Sequence, residues 1–230
     1  MGTKFSTRIW VSVVGIASIF FGSKGYADTV ISVADFGLKP DTRENAVAYV
    51  QKAIEACRGK EPVTLVFPEG RYDFWPQYAH EKNYYETNTY DVFPKRLAML
   101  FEGFHNITVD GNGSQFVMHD RIQPITVENC DGVTLKNFSI DWDIPLTAQA
   151  RVIKVGSDFF EIEINVLESP YIIEDGKLVF VGEGWKSALG SMIEFESDTH
   201  FVVPGTGDLV LGRNWRDYTA VSPRYGIVRL

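Results

Sequence analysis

Glu102-Gly103-Phe104-His105-Asn106-Ile107-Thr108-Val109-Asp110-Gly111 and Glu128-Asn129-Cys130-Asp131-Gly132-Val133-Thr134-Leu135-Lys136-Asn137 are two versions of one pattern. Ile107 falls on Val133, Thr108 on Thr134 and Val109 on Leu135, an offset of 26 residues (133 − 107). Each segment alternates apolar and polar residues and is entered and left through Gly or Asn. One strand and one turn per repeat suits a parallel β-helix, in which the apolar side chains of one coil stack on those of the next. Tandem hairpins in an ordinary sheet would give the same pattern, and two repeats do not separate the readings.

After Asn137 the alternation changes phase. Phe138, Ile140 and Trp142 face one way, and Ser139, Asp141 and Asp143 the other, as at a corner between two faces. Upstream, Val30 to Val33 reads as a short strand. Asp41-Thr42-Arg43-Glu44 has the form of a capping box, with Asp41 or Thr42 as N-cap. A helix is predicted from about Glu44 to Arg58, with Val47, Val50, Ile54 and Cys57 as its apolar stripe and Gly59 as its stop. Val63 to Phe67 is a buried strand closed by Pro68-Glu69-Gly70, and Arg71 to Phe74 continues extended.

Residues 75 to 95 carry Trp75, Tyr78, Tyr84, Tyr85, Tyr90 and Phe93 among polar residues without a period. They read as a long aromatic loop. Its rings suit the C–H faces of sugars, or equally a sheet face or a subunit contact.

From Leu146 the texture is antiparallel. Thr147 to Val155 and Phe159 to Ile164 are joined at Gly156-Ser157-Asp158, and Tyr171 to Glu174 and Lys177 to Gly182 flank Asp175-Gly176. Met192 to Phe195 and His200 to Val203 make a third pair. Hairpins in series point to a small barrel or sandwich. The expected organisation is therefore a leader over 1–27, a helical cap and first coils over 28–145, and an antiparallel barrel-like unit over 146–230. The chain stops in the apolar run Tyr225 to Leu230, and a fragment or truncated product of a longer chain is expected.

Lys4 and Arg8, the apolar run Ile9 to Gly22 and the small residues around Gly25-Tyr26-Ala27 form a secretory signal, with an apolar run short for a membrane span. Export to the periplasm, the cell surface or the medium is expected, with no stable membrane insertion after cleavage. The net charge of −8 opposes nucleic acid and anionic membranes as partners. Cys57 and Cys130 are read as free thiols. A homo-oligomer is left open.

Asp141 and Asp143 share a face about 6.6 Å apart along a strand, within the range an inverting glycoside hydrolase needs between its two carboxyl groups. They read as an acid/base pair, as parts of a binding cleft, or as two solvated carboxylates. Arg121, in His119-Asp120-Arg121, is a donor fork for sugar hydroxyls or a member of a surface ion pair. Trp75 is a stacking candidate. His80, His105 and His200 are scattered with no metal-ligand spacing, and no metal is expected. Gly182-Glu183-Gly184 lacks the rest of a nucleotide fingerprint. The glycosylation triplets at Asn106, Asn112 and Asn137 fall at coil corners and are read as turn residues.

Val33-Ala34-Asp35-Phe36-Gly37, a helix, and Val66-Phe67-Pro68-Glu69-Gly70-Arg71-Tyr72 resemble the opening of pectate-lyase-like right-handed β-helix proteins. Asp110-Gly111-Asn112-Gly113-Ser114, Leu135-Lys136-Asn137-Phe138-Ser139-Ile140-Asp141-Trp142 and Val181-Gly182-Glu183-Gly184-Trp185 narrow the resemblance to glycoside hydrolase family 110. The likeness covers most of the chain after the leader. It implies the start of a right-handed parallel β-helix with one capping α-helix, followed by an inserted antiparallel β-barrel. It implies exo-acting hydrolysis of terminal α-1,3-linked galactose with inversion, glycans as partners and no cofactor. The catalytic aspartates it implies would lie beyond Leu230, so none is assigned here. Two other classes fit the residues: a carbohydrate-binding module using the aromatic loop, and a lyase or polygalacturonase-like enzyme. The exposed strand faces carry little basic excess, which favours a neutral sugar over a uronic acid.

Overall fold

A computed structural model describes residues 29–84, 93–205, 209–210 and 218–230; residues 1–27, read above as a leader, and Tyr85 and Tyr90 of the aromatic loop lie outside the described residues. The first half comprises β1 (Thr29–Ser32), a 3-10 turn (Val33–Phe36), α1 (Val47–Cys57), β2 (Val63–Val66), β3 (Arg71–Phe74), β4 (His80–Tyr84), β5 (Phe93–Glu102), β6 (His105–Met118), β7 (Gln123–Glu128) and β8 (Asp131–Trp142). The second comprises β9 (Ala150–Val155), β10 (Phe160–Ile164), β11 (Tyr171–Glu174), β12 (Lys177–Gly182), β13 (Trp185–Ala188), β14 (Ser191–Met192), β15 (Leu209–Val210), β16 (Val221–Arg224) and β17 (Ile227–Arg229).

The two repeats are parallel neighbours. Ile107 faces Val133, Thr108 faces Thr134 and Val109 faces Leu135 across β6 and β8. Tandem hairpins are excluded for this stretch. The same spacing recurs on a second face, where β5 pairs in parallel with β7 through Met99 and Ile125 and through Phe101 and Val127. The first halves of β6 and β8 also continue a ladder through β2 and β1, and the second half of β6 pairs in parallel with β3.

The corners are fixed by backbone sterics. Gly103 and Asn129 occupy equivalent positions, as do Asn106 and Gly132, and all four have positive φ (70°, 51°, 54° and 69°). Gly and Asn are the residues that tolerate this left-handed region best. Gly132 is required for a second reason: a Cβ there would stand 2.5 Å from Asn106 Oδ1. At the next corner one coil uses Gly111-Asn112-Gly113 and the following coil uses Asn137 alone, so the register changes. Ser114 then faces Phe138, 24 residues on. The tighter corner brings Phe138 against Gly111, where a Cβ would lie 2.5 Å from that of Phe138. Asn106, Asn112 and Asn137 all have positive φ, in keeping with their reading as turn residues.

Behind these corners lies an aromatic core. The Phe116 ring is 4.7 Å from those of Phe67 and Phe138, 5.7 Å from Phe74 and 6.2 Å from Tyr72. Helix α1 closes one side of the core with the predicted stripe Val47, Val50, Ile54 and Cys57 buried, and Ala53 buried beside it. Burial pushes the Cys57 thiol up to about 11, and both cysteines are free. Phe138 and Trp142 pack on the core, while Ile140 stays 39% exposed because no described strand stacks on β8.

Two local expectations need correction. The helix starts three residues later than predicted, at Val47, because Asp41 and Arg43 take left-handed backbone. The capping box sits at Ser32 and Asp35 of the 3-10 turn instead. The stretch from 75 to 95 is not irregular throughout. Its His80–Tyr84 segment pairs antiparallel with β5. That strand has no apolar face to read. Lys82 Nζ holds it, 2.9 Å from Glu102 and 2.6 Å from Glu128 on successive coils, with Tyr84 Oη donating to Glu128.

The second half forms antiparallel sheets in the orders β16-β17-β10-β9 and β11-β12-β13, with β14 paired to β15. The Asp175-Gly176 hairpin has the predicted strands and turn. The third expected hairpin reduces to one bridge, Phe195 with Val202, because both side chains are exposed and build no core face. The closing run supplies β17, which pairs with β10 and β16. Ile162, Ile164, Leu178, Ala220, Val228 and Leu230 make a second core.

Phe116→Ala should remove the hub of the aromatic core, at a cost of about 3–5 kcal/mol. Urea unfolding followed by far-UV circular dichroism checks this.

Candidate functional site

On β3 the side chains alternate. Tyr72 and Phe74 enter the aromatic core, and Arg71 and Asp73 point to the opposite side. The ladder register then assembles a cluster at the strand ends. Phe74, Met118 and Trp142 are aligned on three successive rungs, so the residues that follow them, Trp75, His119 and Asp143, come together. The His119 backbone N–H donates to Phe74 O at 2.9 Å, and that of Asp143 to Met118 O at 3.1 Å. Trp75 stacks on the His119 ring, with centroids 3.8 Å apart and planes 11° from parallel. Asn45 fixes the indole's backbone: its Oδ1 accepts from Trp75 N at 3.2 Å and its Nδ2 donates to Gln77 O at 2.9 Å.

Asp73 is the centre. Arg71 donates to it from Nε at 3.0 and 3.1 Å and from Nη2 at 2.6 Å, and the same Nη2 reaches Asp143 at 2.8 Å. Arg43 Nη1 lies 3.6 Å from Asp73 and 3.8 Å from Asp143. His119 Nε2 is 2.9 Å from Asp73, and its Nδ1 is 2.7 Å from Glu183 in the turn between β12 and β13. A neutral imidazole donates through one nitrogen only; the doubly protonated ring donates to both carboxylates. Burial raises the Asp73 carboxyl, but the Arg71 and His119 hydrogen bonds and the two guanidinium charges outweigh it and hold it below the ordinary carboxylate value. The Asp73 and His119 side chains are buried, whereas those of Asp143, Glu183 and Arg43 are 43%, 38% and 59% exposed. The cluster has a closed floor and an open rim.

Of the residues singled out in the sequence, Trp75 and Asp143 belong to this cluster. Arg121 stands beside it, with its guanidinium 5.6 Å from the Trp185 ring. Asp141 lies outside the cluster: its Oδ1 accepts from Trp142 N at 2.8 Å. His119, Asp73, Arg71, Arg43 and Glu183 were missed. Register carried to the residue after each strand would have found His119, and alternation along β3 would have found Arg71 and Asp73; Arg43 and Glu183 carry no such signal. His119, Asp143 and Glu183 place ligand-type atoms within 4.8 Å of one another. Both ring nitrogens of His119 face carboxylates, and Arg71 Nη2 lies 2.8 Å from Asp143. Polarised donors and acceptors beside an indole suit hydroxyl groups and C–H faces. A groove of about 290 Å³ lined by Gln51, Arg58, His80 and Lys82 shares no residue with this cluster.

Fold and site together define a protein with parallel β-ladders, an antiparallel β unit, and a charged, indole-bearing cluster that includes a residue from each. A family model described as GLAA-B beta-barrel domain I matches residues 148–230. The chain is 57% identical over 204 residues to alpha-1,3-galactosidase B of Bacteroides thetaiotaomicron, covering 89% of this chain and 33% of that protein. It is 36% identical over 169 residues to alpha-1,3-galactosidase A of Shewanella woodyi, with 73% and 28% covered. It is 33% identical over 223 residues to alpha-1,3-galactosidase B of Parabacteroides distasonis, with 94% and 36% covered. The chain thus spans about a third of the length of these curated relatives. These matches are consistent with the N-terminal portion of glycoside hydrolase family 110, the family that the motifs resemble.

Asp73→Asn should cost about 1–3 kcal/mol at neutral pH by replacing the buried carboxylate that accepts from Arg71 and faces His119. Because the folded carboxyl titrates low, its contribution is fully present above the unfolded value of about 3.9 and is lost as pH falls through the lower folded value. Thermal melts from pH 6 to pH 2 should therefore fall less steeply for the variant than for the parent.

Proposed function

We propose that this chain is part of an exported inverting exo-α-1,3-galactosidase, supplying the first coils of a right-handed parallel β-helix and an inserted barrel over 146–230. The observation that carries the reading is the 57% identity, over most of the chain, to a relative named for that activity. The catalytic carboxylates belong to the part of the relatives that this chain does not match. One acts as general acid and the other as base to a water, at the separation inversion requires. Residues 1–27 direct export. The cluster of Trp75, Asp143 and Glu183 forms one wall of the sugar site. Its indole takes an apolar sugar face, and its rim carboxylates and Arg43 take hydroxyls. The substrate is a glycan ending in α-linked galactose. The net charge and the mixed rim fit a neutral sugar better than a polyanion.

A chimera tests this. Residues 29–230 replace the matching part of the Bacteroides thetaiotaomicron relative, and galactose release from an α-1,3-galactosyl disaccharide is measured. The chimera should be active, and Trp75→Ala within it should raise KM about tenfold, the loss of one stacking contact of about 1.4 kcal/mol. The present chain alone should release no galactose. A folded but inactive chimera, or release by the chain alone, defeats the reading.

A further inference from the structure

Two tripeptides that stand out in the sequence, His119-Asp120-Arg121 and Glu183-Gly184-Trp185, lie against each other one to one. His119 Nδ1 is 2.7 Å from Glu183 Oε2. A Cβ on Gly184 would stand 2.5 Å from an Asp120 carboxylate oxygen. The Arg121 guanidinium lies 5.6 Å from the Trp185 ring centroid. The first tripeptide leaves the end of β6, and the second runs from the β12–β13 turn into β13. They extend from hydrophobic cores that share no residue. Both use left-handed backbone, at Asp120 (φ 56°) and Gly184 (φ 77°). On the ladder side the turn is braced: His119 is hydrogen-bonded to Phe74 and stacked on Trp75, and Trp142 Nε1 donates to Asp120 O at 3.2 Å.

We propose that these tripeptides are a docking joint that sets the antiparallel unit on the ladder and delivers Glu183 into the charged cluster. His119 and Gly184 are positioning residues. His119 aims Glu183, and the missing side chain at 184 lets the two turns close. The cluster is composite: without the joint it keeps Trp75, Asp73 and Asp143 but loses Glu183. Contacts between units with separate cores resemble transient interfaces, so a short polar joint is what holds this geometry. The inference is independent of the glycan reading, since its readout contains no sugar.

Hydrogen exchange of the full chain, read by mass spectrometry over peptides spanning 119–122 and 182–187, tests it. Gly184→Ala is compared with Gly205→Ala. Both glycines have positive φ (77° and 82°), but a Cβ at 205 meets nothing within 4 Å. The control therefore carries the backbone strain without the clash. The proposal expects Gly184→Ala to speed exchange over 119–122 by about tenfold, because opening of the joint becomes easier. Gly205→Ala should leave that segment at the parent rate. Parent-like exchange over 119–122 in Gly184→Ala overturns the joint, as does equal acceleration in the control. If Gly184→Ala unfolds, Glu183→Gln carries the same comparison. Faster exchange over 119–122 supports the proposal, and parent rates overturn it.

Discussion

The in-register stacking of Ile107 on Val133 and Val109 on Leu135 is the constraint from which the first half of the chain follows. Side chains in a strand alternate faces, so once one pair is in register every neighbour's face is decided. A slip by one residue would turn Ile107 and Val109 outward and Thr108 inward. The corners must then turn at fixed positions, which is why left-handed Gly and Asn recur 26 residues apart. The departure from that spacing between β6 and β8 is also explained by a corner. One coil needs three residues where the next uses Asn137 alone, and the two-residue difference appears as the change of register at Ser114 and Phe138.

The same register builds the site. A ladder aligns its strands and also the first residue beyond each of them. Trp75, His119 and Asp143 are far apart in sequence, yet each follows the last residue of an aligned triplet. Alternation along β3 completes the set: Tyr72 and Phe74 anchor the strand in the aromatic core, and that anchoring holds Arg71 and Asp73 on the other side. Core packing and site geometry are thus two faces of one strand.

What could be read from the sequence follows the same logic. The parallel pairing was legible because Ile107-Thr108-Val109 repeats as Val133-Thr134-Leu135. The stripe of α1 was legible from its spacing, and the hairpin at Asp175-Gly176 from its turn chemistry. The strand His80–Tyr84 was not, because it is held by Lys82 between two glutamates and has no apolar face. The start of α1 was misplaced because Asp41 and Arg43 adopt left-handed backbone that a capping pattern does not announce. Trp75 and Asp143 were picked out by residue type. Their partners were not, since Asp73 and Glu183 are ordinary acidic residues until the fold places His119 between them. Asp141 is two residues from Asp143 and similar on paper, yet its Oδ1 accepts from the Trp142 backbone amide and it lies outside the cluster.

The energetics of the cluster bear on what it is for. Three carboxylates, Asp73, Asp143 and Glu183, meet two guanidiniums and an imidazole, with Asp73 and His119 taken out of water. Burying such a network costs much of what its Coulomb attraction returns, and apolar residues of the same volume would stabilise the fold at least as well. Stability alone is therefore a poor reason for its composition. What an apolar filling would lack is a rim of oriented donors and acceptors, backed by a charge-balanced floor and set beside an indole. Because Glu183 rises from the antiparallel unit and the remaining members from the ladder and its helical cap, that rim has its shape only when the two units are seated together. The ionic floor thus fixes both the polarity of the surface and the relative placement of the units that share it.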